Sequence, residues 1–155
     1  MSSSPFPAIY RIFFQTLDPL IALSGVLAHT LSPKTILSLY NASAKFPPAT
    51  ETVALLDVGN TFLLAVMPLQ IVMLRLRPND VAVWKCLQGS ILIRDIGIIA
   101  TVLRSLSAQG RLDVGLIKGD EWGNLGILAA LAVLRTAFVL GVGVNDNGRG
   151  KGKTA

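Results

Sequence analysis

"ILIRDIGIIATVL" (residues 91–103) is apolar almost throughout, yet it sets Arg94 and Asp95 side by side near its start. In a water-soluble protein such a pair marks a surface turn. The surrounding composition argues otherwise, because the 155-residue chain is 52% hydrophobic and only 15% charged, with a mean hydropathy of +0.59. That is too apolar for a soluble core of this size. Apolar stretches recur at about 7–31, 52–74, 81–103 and 122–144, each near the ~20 residues that cross a bilayer as a helix. The sequence therefore predicts an all-α, integral-membrane four-helix bundle over residues 1–144, followed by a tail at 145–155.

The tail contains "NGRGKGKTA", supplies much of the +5 net charge, and reads as a disordered basic segment suited to anionic lipid rather than nucleic acid. Its "GKT" (residues 152–154) is similar to the end of a phosphate-binding loop, but Asn147 stands where that loop needs glycine and no helix follows. The first apolar stretch contains Arg11 and Asp18 and lacks a small-residue cleavage pattern, so it reads as a retained span rather than a cleaved signal. Cys86 is the only cysteine, which excludes an intrachain disulfide and a cysteine metal site. Pro19 and Pro68 fall inside spans, where each removes a backbone donor and favours a kink. "TILSLY" (35–40) in the first linker is apolar enough to lie along the membrane interface.

Four crossings put both termini on one side, with Arg75 and Arg77 in the short second linker; Lys34, Lys45, Arg104, Arg111 and Lys118 fall on the other. The short "RLRP" loop favours the first side as cytoplasmic, and an internal membrane such as the endoplasmic reticulum is the expected location. Asn41 opens the sequon "NAS", a glycosylation candidate and a topology marker.

Charges within spans cost roughly 2.5–3.5 kcal/mol each on insertion scales, so they face a bundle interior, find partners and mark functional sites. Here they are Asp18, Asp57 with Asn60, Arg94 with Asp95, and Arg135. At ~1.5 Å of rise per residue, Asp57 and Asn60 fall roughly 8 and 12 Å from the side opposite the termini, and Arg94 and Asp95 roughly 9–10 Å from it. The two pairs are thus expected at one level, with Asp57 and Asn60, three apart, on one helical face. Arg94 and Asp95 project about 100° apart, so the two are not expected to address the cavity equally. Asp18 and Arg135 come out close enough in depth for a salt bridge. Glu121 and Trp122 are candidates for the pocket mouth, where His29 also falls; Trp84 and Trp122 both suit an interfacial aromatic belt. The competing reading is interhelical glue, which Asp18 with Arg135 and Asp57 with Arg94 would satisfy alone.

Two carboxyl groups in a low-dielectric cavity tend to divide the work, one kept protonated as an acid and the other held ionised by an arginine or amide donor. That suits opening of an epoxide or protonation of an alkene. No multi-histidine cluster, serine with a histidine base, or nucleotide loop points elsewhere. The expected partners are the lipid bilayer and a lipophilic small molecule, with no metal and no organic cofactor.

"PFPAIYRIFFQTLDPL" (5–20), "ETVALLDVGNTFLLAV" (51–66), "LIRDIG" (92–97) and "DEW" (120–122) together resemble a fungal family of small four-span membrane proteins from secondary-metabolite pathways. The resemblance extends to the membrane-bound epoxide hydrolases of aurovertin- and citreoviridin-type polyene-pyrone pathways, and more distantly to integral-membrane meroterpenoid cyclases. It implies hydrolytic opening or cyclisation of an epoxidised polyene polyketide, with polar positions at Asp18, Asp57, Asn60 and Asp95. A glutamate is more usual where Asp18 precedes the first-span proline, and a polar residue where Ile98 follows "DIG". In the mechanism so implied, Asp95 or Asp18 protonates the epoxide, Asp57 with Asn60 activates water, and Arg94 stabilises a carboxylate. The soluble limonene-type epoxide hydrolases use similar parts, an aspartate–arginine–aspartate set with an asparagine on the water, as convergence. A cyclase of a prenylated substrate, and a non-enzymatic lipid-binding or scaffold protein, are the alternatives.

Overall fold

The computed structural model describes residues 4–145, so the tail lies outside the described residues beyond Asn145. The chain forms helix α1 (Ala8–Leu31), a short α2 (Pro33–Tyr40), α3 (Thr50–Leu76), α4 (Val81–Ala108) and α5 (Gly119–Val139), with one 3-10 turn at Val114–Leu116 and no strand among the described residues. Helices α1, α3, α4 and α5 are long and apolar enough to cross a membrane. Their outward faces carry exposed side chains such as Leu55, Ile93 and Val133, as lipid-facing surfaces do.

Two helix ends depart from the hydropathy boundaries, and glycine explains both. Helix α4 runs on to Ala108 and closes where Gly110 (φ +65°) donates to Ser107 O and Arg111 N–H to Leu106 O. Helix α5 stops at Val139 instead of 144, because Gly141 (φ +86°) donates to Phe138 O and Val142 to Ala137 O. Both are left-handed closures that satisfy the last carbonyls. Hydropathy alone cannot see them, since the residues around Gly141 remain apolar.

Helix α1 packs along α3 and α4 along α5, while α3 and α4 touch over only a short stretch. At one end Phe6, Tyr10, Phe14, Leu74, Trp84 and Phe138 form a buried cluster. Phe6 stacks on Trp84 with ring centroids 4.4 Å apart, and the indole N–H of Trp84 donates to Arg77 O at 2.9 Å. Trp84 is therefore a core residue and not part of an interfacial belt: the turn at 77–80 folds its carbonyl over the ring, giving the N–H a buried partner. Asn145 N–H donates to Pro5 O at 2.9 Å, which fixes both ends of the described chain at this aromatic end, as an even number of crossings requires.

At the opposite end, "TILSLY" belongs to α2, which leans on α1 and α5 and buries Ile36. Asn124 Nδ2 donates to Leu39 O at 3.0 Å. Glu121, fully buried, accepts from Ala42 N–H, from Lys118 N–H and from both guanidinium nitrogens of Arg111. One carboxylate thus closes the start of α5, the chain after α2 and the chain after α4 into a single clasp.

A buried ion-pair centre and its cavity

A π turn within α1 prepares the centre. Residues Phe13–Leu17 form a π turn, in which the N–H of Asp18 bonds to Phe13 O. The next carbonyl, Phe14 O, has lost its ordinary donor to that bond, and the following residue, Pro19, has no N–H to offer. Gln70 of α3 supplies the missing donor, its Nε2 lying 2.8 Å from Phe14 O and 2.7 Å from Asp18 Oδ2. The wide turn also keeps Tyr10, Phe14 and Asp18, spaced by four, on one buried face, where an α-helix would drift about 40° at each step.

Arg135 is the hub. Its Nη2 donates to Asp18 Oδ1, its Nη1 to Asp95 Oδ2, and its Nε to Gln88 Oε1 at 3.2 Å. Arg135, Asp18, Asp95, Gln70 and Gln88 are all buried. Four transmembrane helices therefore meet in one hydrogen-bonded aspartate–arginine–aspartate set braced by two amides, the kind of pairing that a charge inside a membrane requires.

The centre forms the floor of a cavity of ≈220 Å³ that extends towards α2. Its walls are largely aliphatic, with Ile21, Leu63, Met67, Ile91 and Leu128 among them. Polar groups line it at His29, Tyr40, Arg94 and Asn124. His29 Nδ1 sits 2.8 Å from Gly25 O; a carbonyl only accepts, so Nδ1 carries the proton and Nε2 is left as an acceptor. Burial lifts the Tyr40 phenol above its ordinary value, and the Arg94 guanidinium pulls against that rise. Arg94 Nη1 lies 3.7 Å from Asp95 Oδ1.

Several expected site residues stand elsewhere. Asp57 is exposed and does not line the cavity. On α3 the inward stripe is Leu63, Met67, Gln70 and Leu74, and at about 100° per residue Asp57 falls some 120° away from Leu63. Asn60, at the stripe's edge, donates to Thr30 Oγ1 at 3.2 Å, leaves its buried Oδ1 unpartnered and stays out of the cavity lining. Trp122 is 45% exposed on the outer surface, and Glu121 is spent in the clasp, so neither forms the mouth. Arg94 and Asp95 both line the cavity despite their angular separation, because the long arginine side chain swings back across it.

Asp95 meets Arg135 rather than Asp57 for two physical reasons, the first being that α4 runs on to Ala108 and so sets Asp95 at mid-helix. The second is that side chains on a helix lean towards its N-terminus. Asp95 on α4 leans towards the aromatic end and Arg135 on the antiparallel α5 leans away from it, so the two converge, while Asp57 on α3 leans away from both. The sequence reading missed Gln70, Gln88 and Tyr40. The available signal was two lone amides on apolar stripes, at 63/70/74 and 84/88/91/95.

The family described as Domain of unknown function (DUF7704) matches residues 3–145, and the chain belongs to it. No curated protein and no solved structure matches the chain.

Proposed function

We propose that this DUF7704 member is a membrane-embedded hydrolase that opens an epoxide on a lipophilic polyene, with Asp95 as the acid and Asp18 as the base. The observation that supports this most is the single guanidinium of Arg135 joining two buried carboxylates at the floor of an otherwise aliphatic cavity. The division of roles follows from hydrogen bonding. Asp18 accepts on both oxygens, from Arg135 and from Gln70, the all-acceptor pattern of a carboxylate. Asp95 accepts from Arg135 on Oδ2 only, while Oδ1 faces a cation 3.7 Å away without a hydrogen bond. That oxygen is the one with a hydrogen-bond position open to the cavity, from which a proton can pass to a ligand.

In the proposed reaction Asp95 gives its proton to the epoxide oxygen as the C–O bond breaks. Water attacks the carbon, and Asp18 takes the proton that the water loses. The product is a diol, or a cyclic ether where a substrate hydroxyl replaces water. A water in the cavity that Asp18 and Asp95 both line then carries the proton from Asp18 back to Asp95, since the guanidinium has no acceptor to relay it. Arg135 and Gln70 thus take the positions that the sequence reading gave to Arg94 and Asn60, and Asp18 replaces Asp57.

Among the described lining residues Tyr40 and the imidazole of His29 are the aromatic rings, with no Phe or Trp, which counts against the cyclase alternative, since a carbocation is guided by several aromatic faces. The reading places the protein in an internal membrane with both termini cytoplasmic. The test is conversion of an epoxidised polyene by the full chain in nanodiscs, with ¹⁸O-labelled water tracing the incoming oxygen. Asp95→Asn and Asp18→Asn should each lower turnover by about 10² or more, the loss expected for a general acid or base. Near-normal turnover in both variants would return the centre to a packing role.

A further inference from the structure

The ion-pair centre leaves one cation of the cavity unused. Arg94 makes no hydrogen bond among the described residues, and its closest charge is Asp95 Oδ1 at 3.7 Å, too far for one. Its side chain is 27% exposed, and it lines the cavity. Tyr40, brought over the same cavity by α2, makes no side-chain hydrogen bond among the described residues either. An arginine and a phenol from two separate elements thus offer their donors to a space whose walls are aliphatic.

Every long helix and α2 bring a polar group to that space. Helix α1 brings Asp18 and His29, α2 brings Tyr40, α3 brings only the neutral Gln70, α4 brings Arg94 and Asp95, and α5 brings Arg135. With both carboxylates ionised and His29 neutral the charges cancel. Arg135 is hydrogen-bonded to both carboxylates, which leaves Arg94 as the cation of the cavity without a hydrogen bond among the described residues. An arginine so placed, planar and weakly hydrated, favours an oxyanion ligand over water.

We propose that Arg94, with the Tyr40 hydroxyl, binds the anionic oxygen at one end of a lipophilic ligand: a carboxylic acid or acidic enol on an otherwise apolar chain. This rests on the hydrolase reading only for the identity of the ligand as substrate. It adds that the reacting bond lies a few bonds from the acidic oxygen, because Arg94 and Asp95 are adjacent across the cavity floor. Bilayer phosphates are excluded as the source. Arg94 lies midway along the 28 residues of α4, roughly 15 Å from either face of a ~30 Å hydrocarbon core centred on that helix, deeper than a headgroup phosphate sits.

Decanoate and 1-decanol are the probes, titrated against the full chain in phosphatidylcholine nanodiscs and corrected for partition into empty nanodiscs. Neither contains an epoxide, so the result is independent of turnover and separates failure of this proposal from failure of the hydrolase reading. The acid should bind about ten-fold more tightly than the alcohol, the gain of one charge-assisted contact. Arg94→Gln should remove that preference while leaving decanol affinity unchanged, and Tyr40→Phe should reduce it several-fold. Equal binding of acid and alcohol by the wild-type chain would overturn the proposal without recourse to any variant. So would retention of the preference by Arg94→Gln, or displacement of decanoate when phosphatidylglycerol replaces phosphatidylcholine.

Discussion

Gln70 shows how much a neutral residue can decide inside a membrane. Its amide closes the gap that Pro19 opens at Phe14 O and also holds Asp18 in place. Gln70→Leu, similar in size, should cost about 1–3 kcal/mol, the range for leaving a buried polar group unpaired, and should lower turnover because Asp18 loses one of its two donors. Asp57→Asn is the contrasting change. An exposed carboxylate on the outer side of α3 should be replaceable with turnover kept within about two-fold, since it touches neither the cavity nor the ion-pair network. Thermal unfolding in detergent and the epoxide assay measure both. Charges inside spans are legible in a sequence because they are costly there, and Asp18, Asp95 and Arg135 were visible on that ground. Which of them share a centre depends on side-chain direction and reach, and amides such as Gln70 and Gln88 attract no notice in a hydropathy profile.

At the scale of elements, the four long helices follow from the length of their apolar runs, and α2 from a short apolar segment behind Pro33. The π turn in α1 was not legible: Pro19 announces a disturbed ladder, but the sequence does not say whether the helix kinks or widens. In the fold it widens, and the freed carbonyl is captured from α3. The α2 clasp was equally hidden, because Glu121 finds its partners 10 and 79 residues away, at Arg111 and at Ala42. Glu121→Gln turns two acceptor oxygens into one oxygen and one donor, setting an N–H against Arg111 or a backbone N–H. The expected cost is about 3 kcal/mol or more, as for other broken buried pairs. Its signature should be local: hydrogen exchange should rise across residues 33–44 while α3 and α4 near the centre keep their protection. Unchanged exchange in α2 would mean that Ile36 and the Asn124 contact suffice to hold it.

For the whole molecule, the two ends of the bundle differ in kind. The aromatic end packs Phe6, Trp84 and Phe138 together, and none of the three lines the cavity, which extends towards α2 at the other end. In the proposed reaction a ligand would reach the centre from the α2 side or from the bilayer past the short contact between α3 and α4. Which end faces the cytoplasm is a separate matter, set by the basic residues of the loops. The proposed orientation exposes the Arg77–Asp80 turn to the cytoplasm and encloses the segment around Lys45. The single native cysteine, Cys86, is exposed and is first replaced by serine. With Lys45→Cys and Asn79→Cys made separately in that background, a membrane-impermeant maleimide applied to sealed, cytoplasmic-side-out vesicles should label position 79 at once and position 45 only after permeabilisation. The reverse pattern would invert the orientation and leave the bundle intact. Labelling of both positions in sealed vesicles would count against the bundle itself, because Lys45 and Asn79 are separated by the whole of α3, and both can face one compartment only if that helix does not cross.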